Sequence, residues 1–408
     1  MKKVITLALL VATLNATNLK SMLHSAKESN NLLKSNYYKE LSAKKGIEAI
    51  NRSYRPTVEI GALAQDSNPR TPMRPGVTYS AFVKLNYLIY DGNVKKYTKR
   101  QKVYELSSIK DANKQYKYSL YLQIVQDYYD LLSLKEIIRA FEFKKRSIAA
   151  QYDKMKKFKE AGLIGEVELY QLEAALENVK YNLNSLDLQK KTLLSQLSLK
   201  VGKTIKKINY NYFKKQKVSF SPNAQIRSLQ AKMASLNENA KAIKADNNPK
   251  VNLSLEHNEY DYGRTDKMHP EGLSNQTTLT LSATMKIYDG GVKKQEAQAM
   301  KLQAMSLSYE LKHSLKEQKI NYNLSKARID NIRVQIKSAK ASLKAAQKNY
   351  NAILKKYNAG IIDNTEYLDA LSNLADAKAN YKKSLNDLDV AYAIYYYNAG
   401  RNIVSYIR

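Results

Sequence analysis

Apolar and polar residues alternate strictly in four short stretches of the chain. Val58, Ile60, Ala62 and Ala64 alternate with Thr57, Glu59 and Gly61. Tyr79, Ala81, Val83, Leu85, Tyr87 and Ile89 share one side of a run whose other side holds Ser80, Phe82, Lys84 and Asn86. The pattern returns with Val251, Leu253 and Leu255 against Lys250, Asn252, Ser254 and Glu256, and with Leu279, Leu281, Ala283, Met285 and Ile287 against Thr278, Thr280, Ser282, Thr284 and Lys286. A period of two predicts strands with one apolar and one polar face, hence two hairpins, over 56–90 and 249–288. About ten alternating residues is the dyad pattern of a transmembrane barrel strand, although a soluble β-sandwich alternates in a similar way.

Between the hairpins the period changes. From Gly92 to Gly162 there is no proline and no internal glycine, and Leu120, Ile124, Tyr128, Leu131, Ile138 and Phe141 fall three, four or seven apart. After Gly360 the stripe is Leu374, Ala377, Tyr381, Leu385, Leu388, Tyr392 and Tyr395, a mean step of about 3.5, which predicts left-handed coiled-coil packing. Gly92 to Gly162 is a helical rod of roughly 100 Å at 1.5 Å per residue, and Gly291 to Gly360 predicts a second. The return helices are shorter: Gly162 to Gly202, roughly 60 Å, and Ala224 to Asp246, roughly 35 Å. We expect these two to stack end to end, and the return helix from Gly360 to Gly400 to stack on an N-terminal helix over about Leu19–Tyr54.

The two halves are copies. "LIYDGNVKK" at Leu88 and "KIYDGGVKK" at Lys286 are 198 positions apart, as are Tyr152 and Tyr350, Gly162 and Gly360, and Gly202 and Gly400. "RPTVEIGAL" at Arg55 and "NPKVNLSLE" at Asn248 are offset by 193, so the loops within the hairpins account for the difference. Constant register over such distances marks an internal duplication: a first repeat over 17–202, a linker over 203–223 and a second repeat over 224–408. Ahead of them, Met1-Lys2-Lys3 and the apolar run Val4–Ala12 read as a signal peptide over 1–16. No later segment approaches the roughly 18 apolar residues of a membrane-spanning helix, so any membrane span must be made of strands.

Composition narrows the chemistry. The 408 residues include no cysteine, which excludes disulfides, thiolate metal sites and a cysteine nucleophile. The net charge of +31 is carried mostly by lysines spread along the chain. A nucleic-acid binder would concentrate them on one face, so a solvated or lipid-phosphate-facing surface is the better reading and no nucleic-acid partner is expected. His24, His257, His269 and His313 are scattered and form no ligand set. No catalytic constellation, cofactor site or metal site is expected; a phosphate loop at "DGG" lacks its lysine pattern.

Four strands cannot stand alone in lipid, because open edges leave backbone groups unsatisfied. Three chains would give twelve strands and a passage wider than an eight-stranded barrel, which is filled by its own side chains, so a homotrimer is expected.

With "IYDGG" at Ile287–Gly291 closing an apolar strand and "YNAGIIDNTEYLDAL" at Tyr357–Leu371, the chain resembles the outer-membrane efflux proteins of the TolC family over everything after the signal peptide. The resemblance implies a mainly α fold with transmembrane β: duplicated long helical hairpins forming a periplasmic α-barrel, continuous with a 12-stranded β-barrel shared by a trimer. It implies a passive exit duct of a tripartite efflux pump or type I secretion system in a Gram-negative outer membrane. The partners would be outer-membrane lipid, a periplasmic adaptor and an inner-membrane pump. The strand-to-helix corners would be Tyr90, Asp91 and Gly92, and Tyr288, Asp289 and Gly290. In each, Gly relieves φ, Asp caps the helix and Tyr suits the membrane interface. Lys95, Lys96, Lys293 and Lys294 would lie just below, and Asn93 in place of Gly291 suggests that the two corners bend differently. The resemblance puts tip turns at Gly162 and Gly360, closed-state contacts at Tyr357 and Glu168, and a cation-selective constriction at Glu366 and Asp369. "DNTE" at Asp363–Glu366 also reads as a capping box, and Ile362 stands where the family has an arginine. A soluble periplasmic coiled-coil adaptor is the alternative.

Overall fold

The computed structural model describes residues 18–69, 76–163, 165–263 and 274–408. The expected signal peptide and His269 lie outside the described residues. In chain order the elements are α1 (Leu19–Ser29), α2 (Asn31–Arg52), β1 (Thr57–Asp66), β2 (Val77–Tyr90), α3 (Val94–Glu160), α4 (Val167–Val201), α5 (Ala224–Ala245), β3 (Lys250–Tyr262), β4 (Asn275–Thr284), α6 (Val292–Asn358) and α7 (Asn364–Asn398), then a 3-10 turn at Ile403–Tyr406. They form two compact units, one over Tyr37–Ala112 and Gln225–Ser314, the other over the remainder.

The first of these units holds one antiparallel sheet in the order β1-β2-β3-β4. The register carries the alternation across strands: Val58 pairs with Leu85, Ile60 with Val83 and Ala62 with Ala81, while Leu85 also pairs with Leu255 and Leu255 with Leu279. The apolar side chains thus share one face, and that face is open. Ile60 is 82 % exposed, Leu281 68 %, Leu279 67 % and Val58 66 %. On the other face Lys84 pairs with Glu256 at 3.0 Å, and Phe82 lies over its cross-strand partner Gly61, whose missing side chain leaves room for the ring. The alternation at Met285 and Ile287 predicts a longer last strand than is present. β4 stops at Thr284 because its partner Lys250 is the first residue of β3 and follows Pro249, which cannot donate to a ladder. β2 reaches Tyr90 only through a bulge between Leu88 and Tyr90.

The helical unit is built around two apolar clusters. The larger joins Leu19, Met22 and Leu23 of α1 to Ile124, Val125 and Tyr128 of α3, Leu197 of α4, Ile329 of α6 and Tyr392 and Tyr396 of α7. Between α4 and α5 the linker runs extended, and tyrosine hydroxyls hold it. Tyr129 donates to the Asn211 carbonyl at 2.8 Å, Tyr128 to that of Asn209, Tyr396 to that of Lys214, and Tyr322 to that of Val218 at 2.6 Å. In return the Gln216 and Val218 amides donate to Tyr396 and Tyr395. Residues 203–223 make few backbone ladder bonds, and phenols satisfy them instead.

Two expectations are corrected here. The N-terminal helix is broken at Asn30, whose amide oxygen accepts the Leu32 and Leu33 N–H groups and whose Nδ2 donates to the Lys200 carbonyl. Asparagine so placed caps a new helix. The stacking is also exchanged. The end of α4 abuts α1 and α2, since a Cβ on Gly202 would lie 2.7 Å from the Ser29 carbonyl. The end of α7 instead meets the residues leading to α5, a Cβ on Gly400 falling 2.3 Å from the Ser221 oxygen. The linker causes the exchange by crossing from the end of α4 to the flank of α7.

Asp389 anchors that crossing. It is 4 % exposed and accepts the Phe213 N–H at 3.0 Å. Burial pushes its pKa up to about 6, against the opposing pull of that hydrogen bond and of Lys215.

Two outcomes are expected. Gly360 and Gly400 both sit at φ near +72°, but only Gly400 is crowded. Gly360→Ala should cost about 1–2 kcal/mol from backbone strain, and Gly400→Ala a further 1–3 from overpacking, read as denaturation midpoints. Equal costs would contradict the close approach at Gly400. For Asp389 the folded pKa lies above the unfolded one, so the proton's stabilising contribution is full at acid pH and lost as pH rises through about 6. Wild type should therefore gain about 2 kcal/mol relative to Asp389→Asn between pH 7.5 and pH 4. A difference that stays constant over this range would rule out Asp389 as the titrating group.

Candidate functional site at the helical tips

Both long helices end in the same turn. Leu163 N–H returns to the Phe158 carbonyl at 2.8 Å and Gly162 N–H to that of Lys159 at 2.9 Å; Ile361 returns to Lys356 at 3.0 Å and Gly360 to Tyr357 at 3.1 Å. These are paired Schellman closures, and each requires a left-handed residue at the glycine. Gly162 and Gly360 supply it, at φ 72° in both.

Below the turns, α3, α4, α6 and α7 share a second apolar cluster that includes Ile148, Leu172, Tyr350, Tyr357, Tyr367 and Leu371. Tyr357 stacks on Tyr367 with centroids 4.8 Å apart and planes 13° from parallel. Its hydroxyl donates to Asn364 Oδ1, and Asn364 Nδ2 donates to the Glu168 backbone carbonyl at 2.9 Å. Burial, and secondarily the Glu168 carboxylate, push the Tyr357 pKa up to about 12, so the phenol remains a donor at any physiological pH. Tyr357 and Glu168 are thus brought together through Asn364, 2 % exposed, which binds the start of α7 to the start of α4. Asn364 was not legible as a site residue, because its partner in α4 is 196 positions away. Across the turns, Lys154 reaches Asn358 Oδ1 at 3.2 Å. The neighbouring exposed Glu166 is held ionised, its pKa lowered by hydrogen bonds from Lys159 and Tyr170.

Glu366 and Asp369 are both exposed on α7, one turn apart and therefore on one side of the helix. Asp363 performs the cap, accepting the Glu366 N–H at 3.1 Å. The carboxylates of Glu366 and Asp369 make no ion pair among the described residues. The same exposed stripe continues through Asn373 to Asp376, a third acid whose i+3, i+4 spacing was available in the sequence.

The strand-to-helix corners lie in the sheet-bearing unit. Asp91 accepts the Asn93 and Lys95 N–H groups at 3.1 and 2.6 Å, and Asp289 accepts those of Gly291 and Lys293 at 2.8 and 3.1 Å. Each Asp therefore caps the helix that follows. The corners bend alike, contrary to expectation: Gly92 and Asn93 lie at φ 73° and 75°, Gly290 and Gly291 at 68° and 84°. Asparagine tolerates the left-handed region, and the Asn93 amide donates to the Tyr90 hydroxyl at 3.0 Å. What differs is packing. Gly92 is pressed against Ala245 and Asn248, whereas Gly290 is open and Tyr288 is 86 % exposed.

The sheet has two edges unpaired among the described residues and an exposed apolar face, and each repeat continues into a 67-residue helix. The sequence model of the outer membrane efflux protein family matches residues 220–393, the greater part of the second repeat. No curated protein matches by sequence. Among solved structures the chain is similar to the CmeC outer membrane channel of Campylobacter jejuni, with TM-score 0.82, 18 % identity, and coverage of 94 % of this chain and 85 % of that one. It is also similar to the outer membrane protein VceC of Vibrio cholerae (0.79, 12 %, 94 % and 96 %) and to the open state of the MtrE outer membrane channel of Neisseria gonorrhoeae (0.78, 14 %, 94 % and 89 %).

Asn364→Ala should leave the Tyr357 phenol and the Glu168 carbonyl unpartnered, at about 1–3 kcal/mol. Amide exchange over residues 160–172 and 357–372 should then speed up by roughly tenfold or more, and by less in Tyr357→Phe, which loses one bond. Unchanged exchange in Asn364→Ala would show that the bridge carries no stability.

Proposed function

We propose that three copies of this chain assemble into a passive exit duct in the outer membrane of a Gram-negative bacterium, serving a tripartite efflux pump or type I secretion system. The observation that carries this reading is the sheet. β1 and β4 have unpaired outer edges among the described residues, and one face exposes Ile60, Leu279 and Leu281. In lipid every backbone group must find a partner, and pairing β1 of one copy with β4 of the next satisfies both edges and closes twelve strands. The apolar face would meet lipid tails. No described helix is long and apolar enough to cross a membrane. A soluble periplasmic adaptor, the competing reading, would have no use for a sheet with an open apolar face.

The helical tips would form the periplasmic entrance. Threefold symmetry would set three copies of Glu366 and of Asp369 around the axis, two stacked rings of carboxylates that attract cations and repel anions. A periplasmic adaptor and an inner-membrane pump would open the entrance by binding the open arrangement of the tips more tightly than the closed one. The duct itself needs no chemistry, and the residues at the tips act through charge and hydrogen bonding alone.

Single-channel recording in a planar bilayer tests both levels. Purified trimer should give a small, cation-selective conductance. Glu366→Ala with Asp369→Ala should raise it severalfold and bring the permeability ratio toward unity. Absence of any pore would overturn the duct, whereas a pore indifferent to both substitutions would overturn only the constriction.

A further inference from the structure

One recess in the helical unit is unlike the surface around it. It encloses about 500 Å³ between the linker, α6 and α7, within the size range of small-molecule sites. Its floor is aromatic, formed by Tyr322 and Tyr395, which are buried and stacked with centroids 5.5 Å apart. Its rim is cationic, with Lys215, Lys217, Lys326 and Arg333 set against the single acid Asp330.

These cations are positioned rather than dispersed. Lys326 Nζ lies 4.0 Å above the Tyr322 ring, a cation–π contact that holds the ammonium over the floor. Arg333 donates to the Tyr392 hydroxyl at 2.7 Å and to Asp330 at 3.1 Å. The linker is extended here, and its Gln216 and Val218 amides are fixed to Tyr396 and Tyr395. Alternation along an extended segment then sends Lys215 and Lys217 to one side together. Lys215, Lys217 and Lys326 make no ion pair among the described residues. Arg333 is paired with Asp330, and the three remaining ammoniums lie exposed around one small cavity, where a single anion would be attracted to all of them.

A second basic groove makes an instructive contrast. Lys337, Lys340, Lys344 and Lys348 of α6 and Lys378 of α7 line it. It carries more charge, but α6's four lysines recur at ordinary helical spacing along a solvated face, without a buried aromatic floor to hold them.

We propose that the recess at Lys215, Lys217, Lys326 and Arg333 is a binding site for an organic anion with an aromatic or flat apolar body. Its acidic groups are held by the rim and its body sits in the recess that Tyr322 and Tyr395 line. The site belongs to the folded helical unit and does not depend on the duct reading.

A suitable probe is pyrene-1,3,6,8-tetrasulfonate, which is planar, fluorescent and too polar to enter detergent micelles. Titrated against the purified full-length protein at low salt, it should bind saturably and weaken as salt is raised. Lys215→Ala/Lys217→Ala/Lys326→Ala should weaken its tightest site by roughly a hundredfold or more, since each charged contact is worth about a factor of ten. Lys340→Ala/Lys344→Ala/Lys348→Ala should leave that site unchanged. Should the first variant fail to fold, Lys326→Met alone keeps the aliphatic stem over Tyr322 and should still weaken binding about tenfold. No saturable binding to wild type, equal binding to wild type and the linker variant, or an equal loss in the second variant would each overturn the proposal. The last outcome would identify the signal as general attraction to a basic surface.

Discussion

A β-strand edge is a row of backbone donors and acceptors that must be paired, hydrated or covered. Among the described residues the two outer edges of the four-stranded sheet are unpaired, and the sheet's apolar face is exposed as well. Either feature alone is tolerable in water. Together they are what the proposed assembly in lipid would resolve, because copies pairing β1 to β4 would remove both problems at once. The duplication follows from the same constraint. Each repeat supplies one hairpin, and β2 pairs with β3 to join the hairpins edge to edge within the chain, which halves the number of edges left for partners to satisfy.

The helical unit solves a different problem, how to pass the chain sideways from one repeat to the next. Residues 203–223 do so without helix or sheet, and their carbonyls and amides are taken up by the phenols of Tyr128, Tyr129, Tyr322, Tyr395 and Tyr396. Tyrosine suits this work because its ring fills the core between helices while the hydroxyl reaches the backbone beyond. This accounts for part of the unusual count of 32 tyrosines. The cost is paid at Asp389, a carboxylate buried to hold one linker amide, and the crossing also exchanges the partners at the ends of α4 and α7.

Much of the fold was legible because it is written in local periodicity. Alternation gave the four strands, uninterrupted helical spacing gave α3 and α6, and the glycines at 162, 202, 360 and 400 marked the turns where φ must be positive. What escaped depended on partners far away in sequence. Asn30 reads as an ordinary polar residue of a helix until Lys200 is brought to it. Asn364 looks like a helix-start residue, yet its amide bridges to Glu168. The stacking of the shorter helices could not be read from length, because length is indifferent to which end meets which. Asn93 misled for the opposite reason: a difference in residue type implied a difference in bend, whereas asparagine and glycine both accept the left-handed region that the corner requires.

The tips show how a passive duct could still be switched. The ties from the start of α7 to the rest of the tip cluster include the Tyr357 ring stack and the two hydrogen bonds of Asn364. At about 1 kcal/mol for each hydrogen bond and a similar amount for the stacked pair, releasing them costs about 3 kcal/mol in each chain. That is enough to keep the open form below roughly one per cent if one chain opens alone, and far rarer if three must open together. It is also small enough for a docked partner to repay, since an interface of ordinary size supplies more than this. An arginine at 362 could add a charged contact and raise that threshold; Ile362, half-buried beside the cluster instead, adds only apolar contact. In the proposed duct the closed state would therefore be held in part by a short neutral hydrogen-bond relay, and its threshold should depend little on salt, in contrast to the carboxylates of Glu366 and Asp369 on the exposed side of the same helix.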